Sequence, residues 1–277
     1  METEAATRST ETRHLARPEG RIAYDVDGSG PLVVLVPGMG DLRATYRFLA
    51  PALREAGFRV AATDLRGHGD SDTSFATYGD AETAADVGAL IAELGGPAVI
   101  VGNSMGAGAA VIVAAEHPDL VQGLVLVGPF VRNGSTSGIQ RLLFRLAMAP
   151  LWAPMVWKSY LPKLYAGTKP ADFAAYRGQV VAALHRPGHA KAFSRTTHLN
   201  HDVAEARLGE VNAPVLVIMG ADDTDFPDPK AEAEWIATTL HGSAVMVPDA
   251  GHYPQSQQPE ATNEAVIAFA GGLGAHA

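Results

Sequence analysis

Ala98-Val99-Ile100-Val101-Gly102-Asn103-Ser104-Met105-Gly106 runs from four consecutive apolar residues into Gly-x-Ser-x-Gly, and an alanine-rich stretch follows to His117. Four apolar residues ended by a glycine suit a strand covered on both faces, and the alanine-rich run suits a helix. Strand, Gly-x-Ser-x-Gly and helix together make the context of a nucleophile elbow, a turn sharp enough to lift a serine hydroxyl above the sheet edge. Gly102 and Gly106 lack side chains, so the turn can close and the helix can pack against neighbouring strands. The helix start also offers unpaired amides and partial positive charge where an oxyanion would form. Gly-x-Ser-x-Gly alone says little in a chain with 29 glycines; its setting is what carries information.

Outward from this stretch the pattern alternates. Arg21–Val26 reads as a strand, Asp27–Pro31 as a turn, and Leu32–Val36 as a second buried strand. A helix is expected over Ala44–Ala56, a strand over Arg59–Thr63, a helix over Ala81–Leu94, and a strand over Gly123–Val127. The alternation resumes with a strand over Pro214–Met219, a helix over Lys230–Leu240, a strand over Ala244–Val247 and a helix over Glu260–Ala270. Alternating strands and helices predict an α/β protein, a doubly wound and mostly parallel sheet with right-handed crossovers. Residues 1–13 read as a flexible tail, and 14–130 with 211–277 as the core domain. Residues 131–210 break the alternation; they are rich in aromatics and prolines without a strand pattern, and are expected to form an inserted helical cap. A junction between two such layers is a favoured place for a pocket.

The chain has 277 residues, 47% hydrophobic and 18% charged, with a formal net charge of −9. That composition suits a large packed core and argues against disorder. With no basic patch, nucleic acid is not an expected partner, and with no apolar run of spanning length, neither is a membrane. The polar start lacks a secretory signal, so a cytoplasmic protein is the default expectation. No cysteine is present, which removes disulfides, thiolate catalysis and cysteine metal sites. The pattern leaves a homodimer open and points to a small-molecule substrate.

A serine hydroxyl needs a base within reach, and the base needs a carboxylate to fix its tautomer. Suitable parts follow the last two strands: Gly220-Ala221-Asp222-Asp223-Thr224-Asp225 and Pro248-Asp249-Ala250-Gly251-His252. Of ten histidines, His252 alone follows the last strand behind a glycine. His198 and His201 stand three apart, with His185 and His189 near, but no third ligand is evident. A site with its own serine nucleophile needs neither metal nor cofactor, and none is expected.

Five pieces in order, namely Pro37-Gly38-Met39-Gly40, Asp64–Ser71, the serine turn, Gly220–Asp223 and Gly251-His252, make the chain resemble α/β-hydrolase-fold enzymes. The similarity is to the cofactor-free esterase, haloperoxidase-like and carbon–carbon hydrolase group. It spans nearly all of the chain outside the tail and cap. The resemblance implies Ser104 as nucleophile, His252 as base and Asp223 as acid, with Asp225 and then Asp222 as alternatives. It implies an oxyanion hole from the backbone amides of Met105 and Met39. Pro37 stands where many such enzymes carry histidine before the glycine. His68, in Arg-Gly-His-Gly, is read as architectural, and Asp41 as a cap for the Ala44–Ala56 helix.

The implied activity is a serine esterase cleaving a carboxylic ester, lactone or related acyl bond of a small to medium apolar substrate through an acyl-enzyme. Serine at this place argues against dehalogenase and epoxide hydrolase chemistry, which in resembling enzymes uses aspartate. The alternatives are hydrolysis of a carbon–carbon bond in a ring-cleavage product, suggested by Gly-Asn-Ser-Met-Gly, and a ligand sensor built on the same residues.

Overall fold

Strands β3 (Leu32–Val36), β5 (Ala98–Asn103), β6 (Val121–Val127) and β7 (Val215–Gly220) are almost wholly buried, as strands covered by helices on both faces must be. The computed structural model describes residues 11–134 and 138–273. With β1 (Arg13–Arg17), β2 (Gly20–Asp27), β4 (Arg59–Thr63) and β8 (Ser243–Val247), these strands form one eight-stranded sheet ordered β1-β2-β4-β3-β5-β6-β7-β8. The β1–β2 and β2–β4 pairs are antiparallel; the remaining pairs are parallel. Alternation along β3 divides the core. Val34 and Val36 pack with α2 (Asp80–Glu93), α3 (Met105–Glu116) and α9 (Pro229–Thr239). Val33 and Leu35 pack on the other face with α1 (Leu49–Glu55) and α11 (Pro259–Leu273).

Two expectations are corrected. Arg13 opens strand β1 rather than closing a tail, because Arg13–Arg17 finds a partner in β2; residues 1–10 lie outside the described residues. The single helix expected over Ala44–Ala56 is instead a 3₁₀ turn, Arg43–Tyr46, followed by α1. A continuous helix would place Pro51, which has no N–H, in its interior; starting at Leu49 puts it in the first turn, where no N–H is needed. The buried Tyr46 also fixes the turn, donating its hydroxyl to the carbonyls of Val36 at 2.8 Å and Val101 at 3.2 Å.

Between β6 and β7 stand α4 (Gly138–Ala147), α5 (Ala153–Leu164), α6 (Phe173–Leu184), α7 (His189–Thr196) and α8 (Asp202–Arg207). Helices α5, α6 and α7 build their own apolar cluster from Trp157, Leu161, Tyr176 and Phe193, joined by Tyr253 and half-buried Met39 from the sheet side. Helix α8 packs on α2 and α3, and Ala204 belongs to the sheet-side core. Helix α4 leaves Ile139, Leu142 and Leu143 exposed. Among the described residues, no helix is long and apolar enough to cross a membrane.

Candidate active site

Ser104 sits between β5 and α3 at φ 56°, ψ −121°, a conformation that costs an L-residue energy and persists only where its surroundings impose it. Those surroundings are backbone. A Cβ on Gly102 would lie 2.3 Å from the Gly106 carbonyl oxygen, and one on Gly106 would lie 2.5 Å from that of Val36. The Ser104 N–H is tied to the Val127 carbonyl at 2.9 Å. Helix α3 is buried along both sides, which its run of alanine, glycine and valine allows.

Asp223 and His252 come from the loops after β7 and β8 and meet: His252 Nδ1 lies 2.8 Å from Asp223 Oδ2. The other oxygen, Oδ1, accepts the Asp225 N–H at 3.0 Å, so both oxygens of this buried carboxylate have partners. Asp225 is half-buried, 3.9 Å from His252 Nδ1, and accepts the Tyr160 hydroxyl at 2.8 Å. Asp222 is exposed, and its amide is bonded to the Ala250 carbonyl. The His252 backbone is held on two sides, its N–H by the Leu164 carbonyl and its C=O by Asn103 Nδ2. Asn103 Nδ2 also donates to the Val127 carbonyl, linking the serine turn to the histidine loop. A Cβ on the next residue, Gly128, would stand 3.1 Å from His252 Nδ1. Ser104 and His252 thus flank the same end of β6. Among the described residues the Ser104 hydroxyl makes no hydrogen bond to the ring, a state common before substrate tightens such a pair.

Burial alone would lower the pKa of His252. The charge and hydrogen bond of Asp223 oppose burial, and the charges of Asp225 and Asp41 add to them, raising it to about 9. The balance favours the charged ring, and the neutral form that can accept a proton grows as the pH rises.

The loop Gly38–Asp41 approaches Ser104 so closely that a Cβ on Gly38 would lie 2.7 Å from the Ser104 Cβ. Met39 is half-buried within it; Met105 is the first residue of α3, where an amide has no partner in the helix's own ladder. His68 is buried and accepts the Gly40 N–H at 3.0 Å through Nε2, while Nδ1 faces the Arg66 carbonyl at 3.0 Å. Burial lowers its pKa to about 4, so the ring is neutral and free to accept. Asp41 is not a helix cap: the residue before the 3₁₀ turn is Leu42, which makes no side-chain cap bond. Asp41 is buried, accepts the Leu42 N–H at 2.9 Å and the Tyr176 hydroxyl, and is pushed up to about 6 by burial against those bonds.

Several contacts had no signature in the sequence. Phe130 lies edge-on to His252 at 5.7 Å between ring centres and stacks on Phe226 and His201. Tyr160 and Trp157 reach the site from α5. Only the asparagine inside the serine motif, Asn103, stood where local sequence could have drawn attention. His201 is engaged with Asp80 at 2.7 Å, and His189 Nε2 with the Gly69 carbonyl at 3.1 Å. Among the described residues, one group has ligand atoms within 4.8 Å of one another, Asp223, Asp225 and His252. A cavity of about 360 Å³ lies elsewhere, beside α1, and its ions are paired: Arg43 with Asp25 and Asp64, Arg186 with Asp70.

A family model described as "Alpha/beta hydrolase family" matches residues 33–265. The chain is 31% identical over 261 residues to a 2-(acetamidomethylene)succinate hydrolase of Mesorhizobium japonicum, covering 90% of this chain and 92% of that protein. It is 32% identical over 239 residues to a pimeloyl-[acyl-carrier protein] methyl ester esterase of Neisseria meningitidis, covering 83% and 89%. A solved thermophilic esterase from Thermogutta terrifontis superposes with a TM-score of 0.78 at 24% identity, covering 95% of this chain and 99% of that one, a likeness of fold.

Proposed function

This chain belongs to the α/β hydrolase family, and from that premise we propose that it is a serine hydrolase cleaving an ester, lactone or related acyl bond of a small to medium apolar molecule. The observation that carries the reading is the strained Ser104 at the strand–helix turn, together with the bonded Asp223–His252 pair from the loops after β7 and β8. With His252 neutral, its Nε2 takes the hydroxyl proton as Ser104 Oγ attacks the acyl carbon, and the imidazolium formed is stabilised by Asp223. The oxyanion is received by the N–H groups of Met39 and Met105. The leaving group departs with the proton from Nε2, and water, deprotonated by the same nitrogen, releases the acid and restores Ser104. Asp223 serves as the acid, being the carboxylate bonded to the ring. Helices α5–α7 serve as the cap, their aromatic residues supplying an apolar wall. The resemblance to a methyl ester esterase supports an ester as the bond cleaved.

The test is labelling with a fluorophosphonate followed by peptide mapping, beside turnover of p-nitrophenyl esters. The reading expects modification of Ser104 and repeated turnover. Ester hydrolysis that persists in Ser104→Ala would end it, and a single slow burst with ligand retained would favour a sensor.

A further inference from the structure

Gly40 is gripped on both sides. Its N–H donates to His68 Nε2 at 3.0 Å, and its carbonyl accepts the Trp157 Nε1–H at 2.8 Å across 117 residues of chain. Gly40 holds φ +73°, and a Cβ there would lie 2.6 Å from the Trp157 ring and 2.7 Å from Phe193. Glycine in that region has wide freedom to rotate; here both hydrogen-bonding groups are committed and the space for rotation is filled. The preceding residue is Met39, and on its other side Gly38 is pressed against Ser104. The Met39 N–H lies in the Gly38–Met39 peptide, between Gly38 pressed on Ser104 and, one residue on, Gly40 held by His68 and from α5. Trp157 is buried, and its indole has one donor, which it spends on this carbonyl.

We propose that Trp157 is a positioning residue for the reaction: against His68, its indole N–H holds Gly40 so that the Met39 amide points at the oxyanion formed on Ser104. The inserted helices then belong to the oxyanion machinery as well as to the pocket wall. This inference rests on the serine-hydrolase reading above.

Trp157→Phe keeps a ring in place and removes the donor. It is expected to lower kcat by about tenfold or more while KM stays within about threefold, because an amide misaligned by a fraction of an ångström loses transition-state contact first. Inhibition by an aryl trifluoromethyl ketone, whose hydroxyl adduct places an oxyanion in the same spot, should weaken by a similar factor. Leu184→Ala, a truncation in the same apolar cluster without a bond to the loop, should lower Tm yet leave kcat and ketone inhibition within about threefold. If Trp157→Phe retains both, or Leu184→Ala loses both equally, the inference is overturned. Should Trp157→Phe not fold, hydrogen exchange of the Trp157 indole in the unaltered protein decides: slow exchange supports the clamp, and exchange at the rate of a free indole removes it. Absence of fluorophosphonate labelling at Ser104 would sink the underlying reading alone, since indole exchange reports on the clamp regardless.

Discussion

His252 carries opposing demands. Burial favours its neutral form, while the carboxylates of Asp223, Asp225 and Asp41 favour the charged one, and the balance raises its pKa to about 9. The proposed role as base needs the neutral form, so kcat/KM is expected to rise with pH through a limb near 9. Asp225→Asn keeps the Asp223 bond and removes one negative charge 3.9 Å away, so the limb should move to lower pH; a pH–rate profile checks this, and an unmoved limb refutes the role given to Asp225. The stability consequence has the matching sign. A raised histidine pKa contributes in full below its ordinary value of 6.5 and loses that contribution as pH climbs through about 9. Ser104→Ala should reduce kcat by about 10⁴-fold or more, measured on a p-nitrophenyl ester. At this scale the sequence was most readable. Ser104 directly follows β5, and Asp223 and His252 lie in the loops that follow β7 and β8, so local strand signals were enough to single them out. Tyr160 was not readable, because its meeting with Asp225 depends on how α5 settles over the sheet.

The serine turn behaves as an element because backbone, not side chains, fills the space around it. Gly106→Ala would drive a Cβ to 2.5 Å from the Val36 carbonyl and 2.7 Å from that of Pro37. Rigid backbone cannot yield as a flexible side chain can, so a loss of about 1–3 kcal/mol is expected in urea unfolding, with β3 and α3 forced apart. An unchanged midpoint would show that the two elements separate more easily than the contact implies. The 3₁₀ turn followed by α1 shows the opposite case. There one helix was expected, and the break was set by Pro51 and by the anchorage of Tyr46 on two strand carbonyls.

Across the whole molecule, Arg47 fastens the inserted helices to the sheet side. It bonds Asp172 at 2.6 and 2.7 Å, reaches Ser256 at 3.2 Å, and lies 4.3 Å from the Tyr176 ring centre. Arg47→Ala should cost about 1 kcal/mol, modest because Asp172 is partly exposed, and should speed proteolytic cleavage within 131–210 more than elsewhere. Cleavage rates by mass spectrometry, with Tm alongside, test this; uniform cleavage would show that Arg47 does not fasten the insertion. The amino-acid order by itself determined the alternation of strands and helices, the serine turn and the loops that bear Asp223 and His252, because periodicity, glycine spacing and strand ends are local properties. Tertiary structure alone decided that His252 faces two carboxylates, that His68 accepts from Gly40, and that Trp157 holds the other side of that residue. Those contacts join segments tens to more than a hundred residues apart, and a chain's local preferences do not encode which distant donor will fill a given gap.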